Sequence, residues 1–258
     1  MNARNFLLVA ALAAVIPAGS YAQTNAPATN AVVAAVHVNQ ALIPVPRTDG
    51  WITNRQTLVL QRAKNAPGDY DIEFIGDSIT QGWEGNGKNV WKELGGKYKI
   101  INFGVSGDLT EHVLWRFEQG QLDGIKAKVA IVMIGTNNSN KNKDGTDAFT
   151  DNDIVEGVTA IVNQIRTRQP DTKILLLGIF PRGKAFNAQR GRLCEINQVL
   201  AKLDDGRHIF YLDFGSQYVG NDGTISKSIM PDALHPNETG YKIWDAAMEP
   251  KLKELLGQ

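Results

Sequence analysis

From Asp71 onward, short runs of β-branched and aromatic residues alternate with stretches whose apolar residues recur every three or four positions. The runs are DIEFI (71–75), KIINF (99–103), VAIVMI (129–134), KILLLGI (173–179) and IFYLD (209–213). All but the first are apolar nearly throughout, as expected of strands covered on both faces. Ile154, Val155, Val158, Ile161, Val162 and Ile165 keep helical spacing until Pro170, and Leu193, Ile196, Leu200 and Leu203 keep it until near Gly206. Tyr241, Trp244, Met248, Leu252 and Leu255 make the stripe of a last helix, with Asn237 as its expected cap. This alternation predicts a three-layer α/β/α fold: a five-stranded parallel sheet between helices, with right-handed crossovers. No repeat and no change of composition class follows residue 50, so one domain is expected over 47–258.

Two segments precede it. The start, MNARNFLLVAALAAVIPAGSYAQ, has a basic residue (Arg4), an apolar run from Phe6 to Ile16, then Pro17 and small residues. That layout reads as a signal peptide over 1–22, cleaved near Ala22, with a secreted or periplasmic product. The apolar run is too short for a spanning helix, and no later segment approaches the roughly 20 apolar residues a span needs. Residues 23–46, rich in Ala, Asn, Thr, Val and Pro, read as a linker or strap. Cys194 is the one cysteine, so export implies no internal disulfide, and its place beside Leu193 and Ile196 suggests inert core packing. The 27 basic residues balance the 27 acidic ones, which argues against nucleic acid or anionic lipid as a partner.

Open parallel sheets bind ligands beyond the carboxyl ends of their strands. The segments there are GDSIT (76–80), GVSGD (104–108), GTNN (135–138) and FPRG (180–183), with PDALHP (231–236) just ahead of the final helix. Any one of them alone reads as a turn, and Gly-Asp-Ser before a helix reads as a turn plus a cap. Their succession beyond different strands is much harder to obtain by chance. The G-x-S-x-G elbow of α/β-hydrolases is absent, because position 80 is Thr.

GDSIT, the glycine of GVSGD, GTNN and DALH resemble the four blocks of the SGNH (GDSL-type) hydrolases. The similarity is nearest to the branch holding the catalytic subunits of intracellular platelet-activating-factor acetylhydrolase and secreted bacterial relatives. It extends through residues 102–138 and 165–183, the PVPR and GWITNR segments and LHPNETGYKIW, covering roughly 44–256. The resemblance implies a flavodoxin-like topology, with Ser78 as nucleophile, His235 as general base and Asp232 orienting His235. It implies an oxyanion hole of the Ser78 N–H, the Gly107 N–H and the Asn137 side-chain amide, with no metal or cofactor.

The chemistry of these residue types fits the roles. A serine hydroxyl needs an adjacent base, and an imidazole can take its proton and return it to the leaving alkoxide. Asp232 and His235 are close enough in sequence to meet across one turn, letting a carboxylate fix the ring tautomer. Asn137 supplies a donor that an aspartate could not, and Gly107 lets the main chain approach an oxyanion closely. Asp77 is expected to brace the loop rather than serve as the triad acid. Ile79, Thr136 and Leu234 adjoin the catalytic blocks; they either wall a small acyl pocket or point into the core.

Other features read as bland. His37 sits in the strap, His112 reads as a satisfied structural side chain, and His208 as exposed. Residues 140–151 carry the spacing of a calcium loop, with Asn140, Asn142, Asp144, Gly145 and Asp151. Position one is not acidic, the final Glu is missing and two lysines intervene, so a solvated rim loop is expected. The functional expectation is a secreted serine esterase that removes short acyl groups, foremost acetyl, from a small-molecule or carbohydrate ester. A phospholipid esterase of the acetylhydrolase or lysophospholipase type is the second reading, and a catalytically silent binding module the third.

Overall fold

Five strands, all parallel, are hydrogen-bonded in the order β2-β1-β3-β4-β5. They are β1 (Gly68–Gly76), β2 (Ile100–Asn102), β3 (Ile125–Met133), β4 (Lys173–Leu177) and β5 (Ile209–Leu212). The computed structural model describes residues 37–258, and Val38–Gln258 form one compact unit. The expected leader, 1–22, and strap residues 23–36 lie outside the described residues.

The helices are α1 (Gly50–Asn65), α2 (Ser78–Gln81), α3 (Lys88–Lys97), α4 (Thr110–Glu118), α5 (Asp151–Arg168), α6 (Ala188–Leu200) and α7 (Glu238–Leu256). One face of the sheet, with Ile75, Ala130, Val132 and Leu176, packs under α1, α4, α5 and α6. The other, with Phe74, Val129, Ile131 and Leu175, packs under α3 and α7. Asn237 caps α7 by accepting the Gly240 N–H at 3.2 Å. Thr150 and Asp153 form a reciprocal capping box at the start of α5, just behind the 140–151 loop.

β1 and β3 begin earlier than their apolar runs suggest. Their first halves alternate, with Lys126 and Lys128 exposed on β3, and only the second halves are covered on both sides. Cys194 is exposed, a correction to the expected core role. On α6 the buried apolar residues are Leu193, Ile196 and Leu200, and one residue beyond Leu193 turns the side chain by about 100° toward solvent.

Strand register brings the loops together. Gly76 of β1 pairs with Met133 of β3, and Phe74 with Asn102 of β2. The turns after β1, β2 and β3 therefore share one edge, at the point where strand order reverses. An aromatic cluster under the first turn adds rigidity. Trp83 is fully buried, with its ring 4.9 Å from that of Tyr241 and 5.1 Å from that of Trp244. Each such pair contributes about 0.5–1.5 kcal/mol beyond burial, and the Tyr241 hydroxyl donates to the Ile79 carbonyl at 2.6 Å.

One buried carboxyl belongs to the fold rather than the site. Glu73, mid-β1, is fully buried with no ionic partner among the described residues, and burial pushes its pKa up to about 8. The Gln169 side chain opposes this shift without cancelling it. Folded Glu73 keeps its proton to about pH 8, whereas the unfolded chain loses it near 4.5. The folded state thus binds more protons across that window, and stability falls as pH rises through it. Urea midpoints are expected to drop between pH 5 and pH 8, with a smaller drop in Glu73→Gln. Parallel pH profiles for the two proteins would show that Glu73 does not carry this effect.

Candidate active site

Gly76 ends β1 where no larger residue fits. A Cβ there would lie 2.2 Å from Thr80 Oγ1 and 2.3 Å from the Met133 carbonyl. The chain turns, and Asp77 accepts the Ile79 N–H at 2.9 Å, capping the short α2. Ser78 becomes the first residue of that helix, where a backbone N–H has no intrahelical acceptor. Asp77 is buried, and desolvation pushes its pKa up to about 6, against the Ile79 N–H and the nearby His235 and Arg182. It braces the turn and makes no hydrogen bond to His235, which is instead bonded to Asp232.

His235 arrives from the loop ahead of α7. Asp232 Oδ1 accepts the backbone N–H groups of Leu234 (3.1 Å) and His235 (2.8 Å), and Oδ2 meets His235 Nδ1 at 2.6 Å. Burial would raise the Asp232 pKa, but these donors outweigh it and hold the carboxyl below its usual range. An ionised Asp232 puts the imidazole proton on Nδ1 and leaves Nε2 as an acceptor. Nε2 lies 2.9 Å from Ser78 Oγ. The turn requires Ala233 at φ 57°, a left-handed conformation that costs a non-glycine residue about 1–2 kcal/mol. The Gly183 N–H, from the FPRG loop, pins the Ala233 carbonyl at 2.8 Å.

Gly107 and Asn137 line one cleft. The loop of Gly107 is tied to the Ser78 turn by Val105 N–H to the Gly76 carbonyl (3.1 Å) and Ser106 N–H to Gln81 Oε1 (2.7 Å). Gly107 has φ 74°, which glycine adopts without strain. Asn137 Nδ2 donates one hydrogen to the Asp108 carbonyl at 2.9 Å, which orients the amide and leaves its second hydrogen for a ligand. The arrangement therefore offers a hydroxyl bonded to a base of fixed tautomer, with a free amide hydrogen on Asn137 in the cleft that Gly107 also lines.

The GDSL-like Lipase/Acylhydrolase family profile matches residues 74–243, which includes the Ser78, Gly107, Asn137 and His235 segments. The chain belongs to that family. It is 36% identical over 209 residues to platelet-activating factor acetylhydrolase IB subunit alpha2 of Rattus norvegicus, covering 79% of this chain and 86% of the relative. Among solved structures, a GDSL-like lipase from Bacteroides thetaiotaomicron superposes with TM-score 0.59 at 19% identity, over 79% of this chain and 98% of the other. An acetyl xylan esterase superposes with TM-score 0.57 at 21% identity, over 70% and 98%. At these identities the structural likeness establishes the shared fold.

Several residues of this acylhydrolase site were not assigned by sequence reasoning. Arg47, from the segment before α1, donates to the Ser106 carbonyl at 3.2 Å and lies against Gly107. Its guanidinium donates twice to Asp49 Oδ2 (3.0 and 2.6 Å), and Asp108 lies 3.7 Å away. Asp108 is also paired with the fully buried Arg116, which burial pushes down to about 9. Arg47, Asp108 and Arg116 thus hold the loop that carries Gly107. Arg182, from FPRG, donates to the Thr136 carbonyl (2.9 Å) and hydroxyl (3.2 Å) and sits close enough to Asp77 and Asp232 to feel both charges. Ion pairs between segments so far apart leave no local pattern in a sequence.

Of the three candidate pocket residues, Ile79 and Thr136 are buried, and Leu234 is half-buried against the same core cluster as Ile79. His112 is buried, and its Nδ1 accepts the Leu109 N–H at 3.0 Å, a structural cap of α4. In the 140–151 loop, Asp144 serves Thr146, while Asp147 and Asp151 pair with Arg192. Among the described residues no group of three or more His, Cys, Asp or Glu converges as metal ligands would.

Proposed function

We propose that this acylhydrolase is a serine carboxylic-ester hydrolase that removes short acyl groups, foremost acetyl, through an acyl-enzyme intermediate. The observation that carries the reading is the Asp232–His235–Ser78 relay, with contacts of 2.6 and 2.9 Å. Ser78 Oγ attacks the ester carbonyl while His235 Nε2 takes its proton, and Asp232 stabilises the resulting imidazolium. The carbonyl oxygen, now an oxyanion, is received by the N–H groups of Ser78 and Gly107 and by Asn137 Nδ2. His235 then returns the proton to the leaving alkoxide. Water attacks the acyl-Ser78 ester by the same route, with His235 as base, and releases the carboxylic acid.

Export after cleavage near Ala22 belongs to this proposal, as does the restriction to short acyl groups. A carbohydrate O-acetyl ester suits an exported enzyme, and the fold is shared with a protein described as an acetyl xylan esterase. The second reading, an acetylated phospholipid, is favoured by the likeness to the rat acetylhydrolase subunit. A silent binding module has no need of an intact relay, and every member of the relay is present.

The acyl-length test uses p-nitrophenyl acetate, butyrate and octanoate. kcat/KM is expected to fall with length, with acetate ahead of octanoate by about a hundredfold or more, since each misfitted methylene costs about 1–3 kcal/mol. A preference for octanoate would sink the short-acyl assignment while leaving the hydrolase chemistry intact.

A further inference from the structure

We propose that the cleft opening from Gly107 and Asn137 is a subsite for a neutral polyhydroxylated ring, the sugar to which the scissile acyl group is attached. This deepens, and rests on, the esterase reading above. The cleft has a volume of about 470 Å³ and is walled by Arg47, Asp49, His112, Asn140 and Phe149. That lies within the roughly 300–1,000 Å³ of small-molecule sites and is far more than a two-carbon acyl group needs. In an acetyl ester, the space serves the alcohol portion.

The lining chemistry selects among alcohols. His112 is about nine-tenths buried, and because Nδ1 accepts the Leu109 N–H, its proton sits on Nε2. Burial, with Arg47 nearby, pushes its pKa down to about 4, so at neutral pH the ring is an uncharged donor on the cleft wall. Asp49 is an exposed acceptor held ionised by Arg47, and the exposed Asn140 amide offers both functions. The half-buried Phe149 gives an apolar face of the kind a sugar ring's C–H surface covers.

A phosphate is disfavoured here. Among the described residues the cleft's one arginine already serves Asp49, Asp108 and the Ser106 carbonyl, no lysine lines the cleft, and the Asp49 carboxylate would repel an anion. A hydroxylated ring instead matches donors and acceptors without an uncompensated charge. This separates the carbohydrate reading from the phospholipid one by residues distinct from the catalytic relay.

Two measurements test the proposal. In the first, unacetylated xylotriose and glycerophosphocholine are titrated calorimetrically into the Ser78→Ala protein, which reads the cleft whether or not the enzyme turns over. Xylotriose is expected to bind, and glycerophosphocholine to bind at least tenfold more weakly. Adding Asn140→Ala, a rim change that leaves the core untouched, or His112→Phe should weaken xylotriose about three- to tenfold, the worth of one neutral hydrogen bond.

In the second, the ratio of kcat/KM on an acetylated xylo-oligosaccharide to that on p-nitrophenyl acetate should fall by a similar factor in each variant, mostly through KM. Tighter binding of glycerophosphocholine, or xylotriose binding indifferent to both substitutions, overturns the proposal. So does an effect confined to octanoyl esters, which would make the cleft an acyl site. If xylotriose binds as expected but p-nitrophenyl acetate is not hydrolysed, the esterase reading fails and the sugar subsite stands.

Discussion

Alanine at Ser78 lowers kcat on p-nitrophenyl acetate by on the order of 10⁴–10⁶-fold, alanine at His235 costs a comparable amount, and the double variant loses little more. The non-additivity follows from the geometry. Ser78 Oγ is 2.9 Å from His235 Nε2, so the hydroxyl and its base act as one unit, and removing either disables the same step. His112, whose Nδ1 is occupied by the Leu109 N–H, cannot substitute as a base. Folding should survive both changes: His235 is partly exposed, and the Ser78 turn is held by Asp77, Asn102 and Tyr241 rather than by the hydroxyl. The check is kinetics on variants with unchanged circular dichroism. Losses that multiply would place Ser78 and His235 in separate steps.

The second large effect belongs to Asn137. Truncation to alanine should lower kcat by about 10²–10³-fold with a smaller change in KM, because the amide is strongest toward the charge that develops after attack. Asn137→Asp should be worse. It loses the donor, places a carboxylate against the Asp108 carbonyl, and opposes the oxyanion electrostatically. Steady-state kinetics on both variants separate the terms. A rise in KM at constant kcat would make Asn137 a ground-state contact instead.

These residues differ in how visible they are in the sequence. The strands were legible because a sheet covered on both sides needs apolar runs, and the site motifs because each stands where such a run stops. β1 and β3 were read short because Asp69, Lys126 and Lys128 interrupt their first halves with polar residues. α1 carries its buried face on Ile52, Gln56, Val59 and Ala63, and the glutamine breaks the stripe a reader would follow. Gln56 is buried for a specific reason: its Oε1 accepts the Arg47 N–H at 3.1 Å. Asp232 and His235 could be paired from their spacing, since a turn of that length lets the carboxylate reach the ring. Arg47, Arg116 and Arg182 could not, because their partners are set by how distant loops converge on the sheet edge. The aspartate of GDSIT shows the limit of type alone. Spacing from His235 assigned Asp232, and burial and hydrogen bonding supply the physical reason: Asp77 caps a buried turn, while Asp232 meets the imidazole.

The central claim is that Ser78 carries the acyl group, and covalent trapping tests it most directly. Incubation with a fluorophosphonate, followed by intact-mass and peptide mass spectrometry, should add one phosphonyl group per chain, on the peptide containing Ser78. The label should parallel loss of esterase activity and be absent from Ser78→Ala. Labelling of another residue with equal loss of activity, or full hydrolysis by Ser78→Ala, would contradict the account.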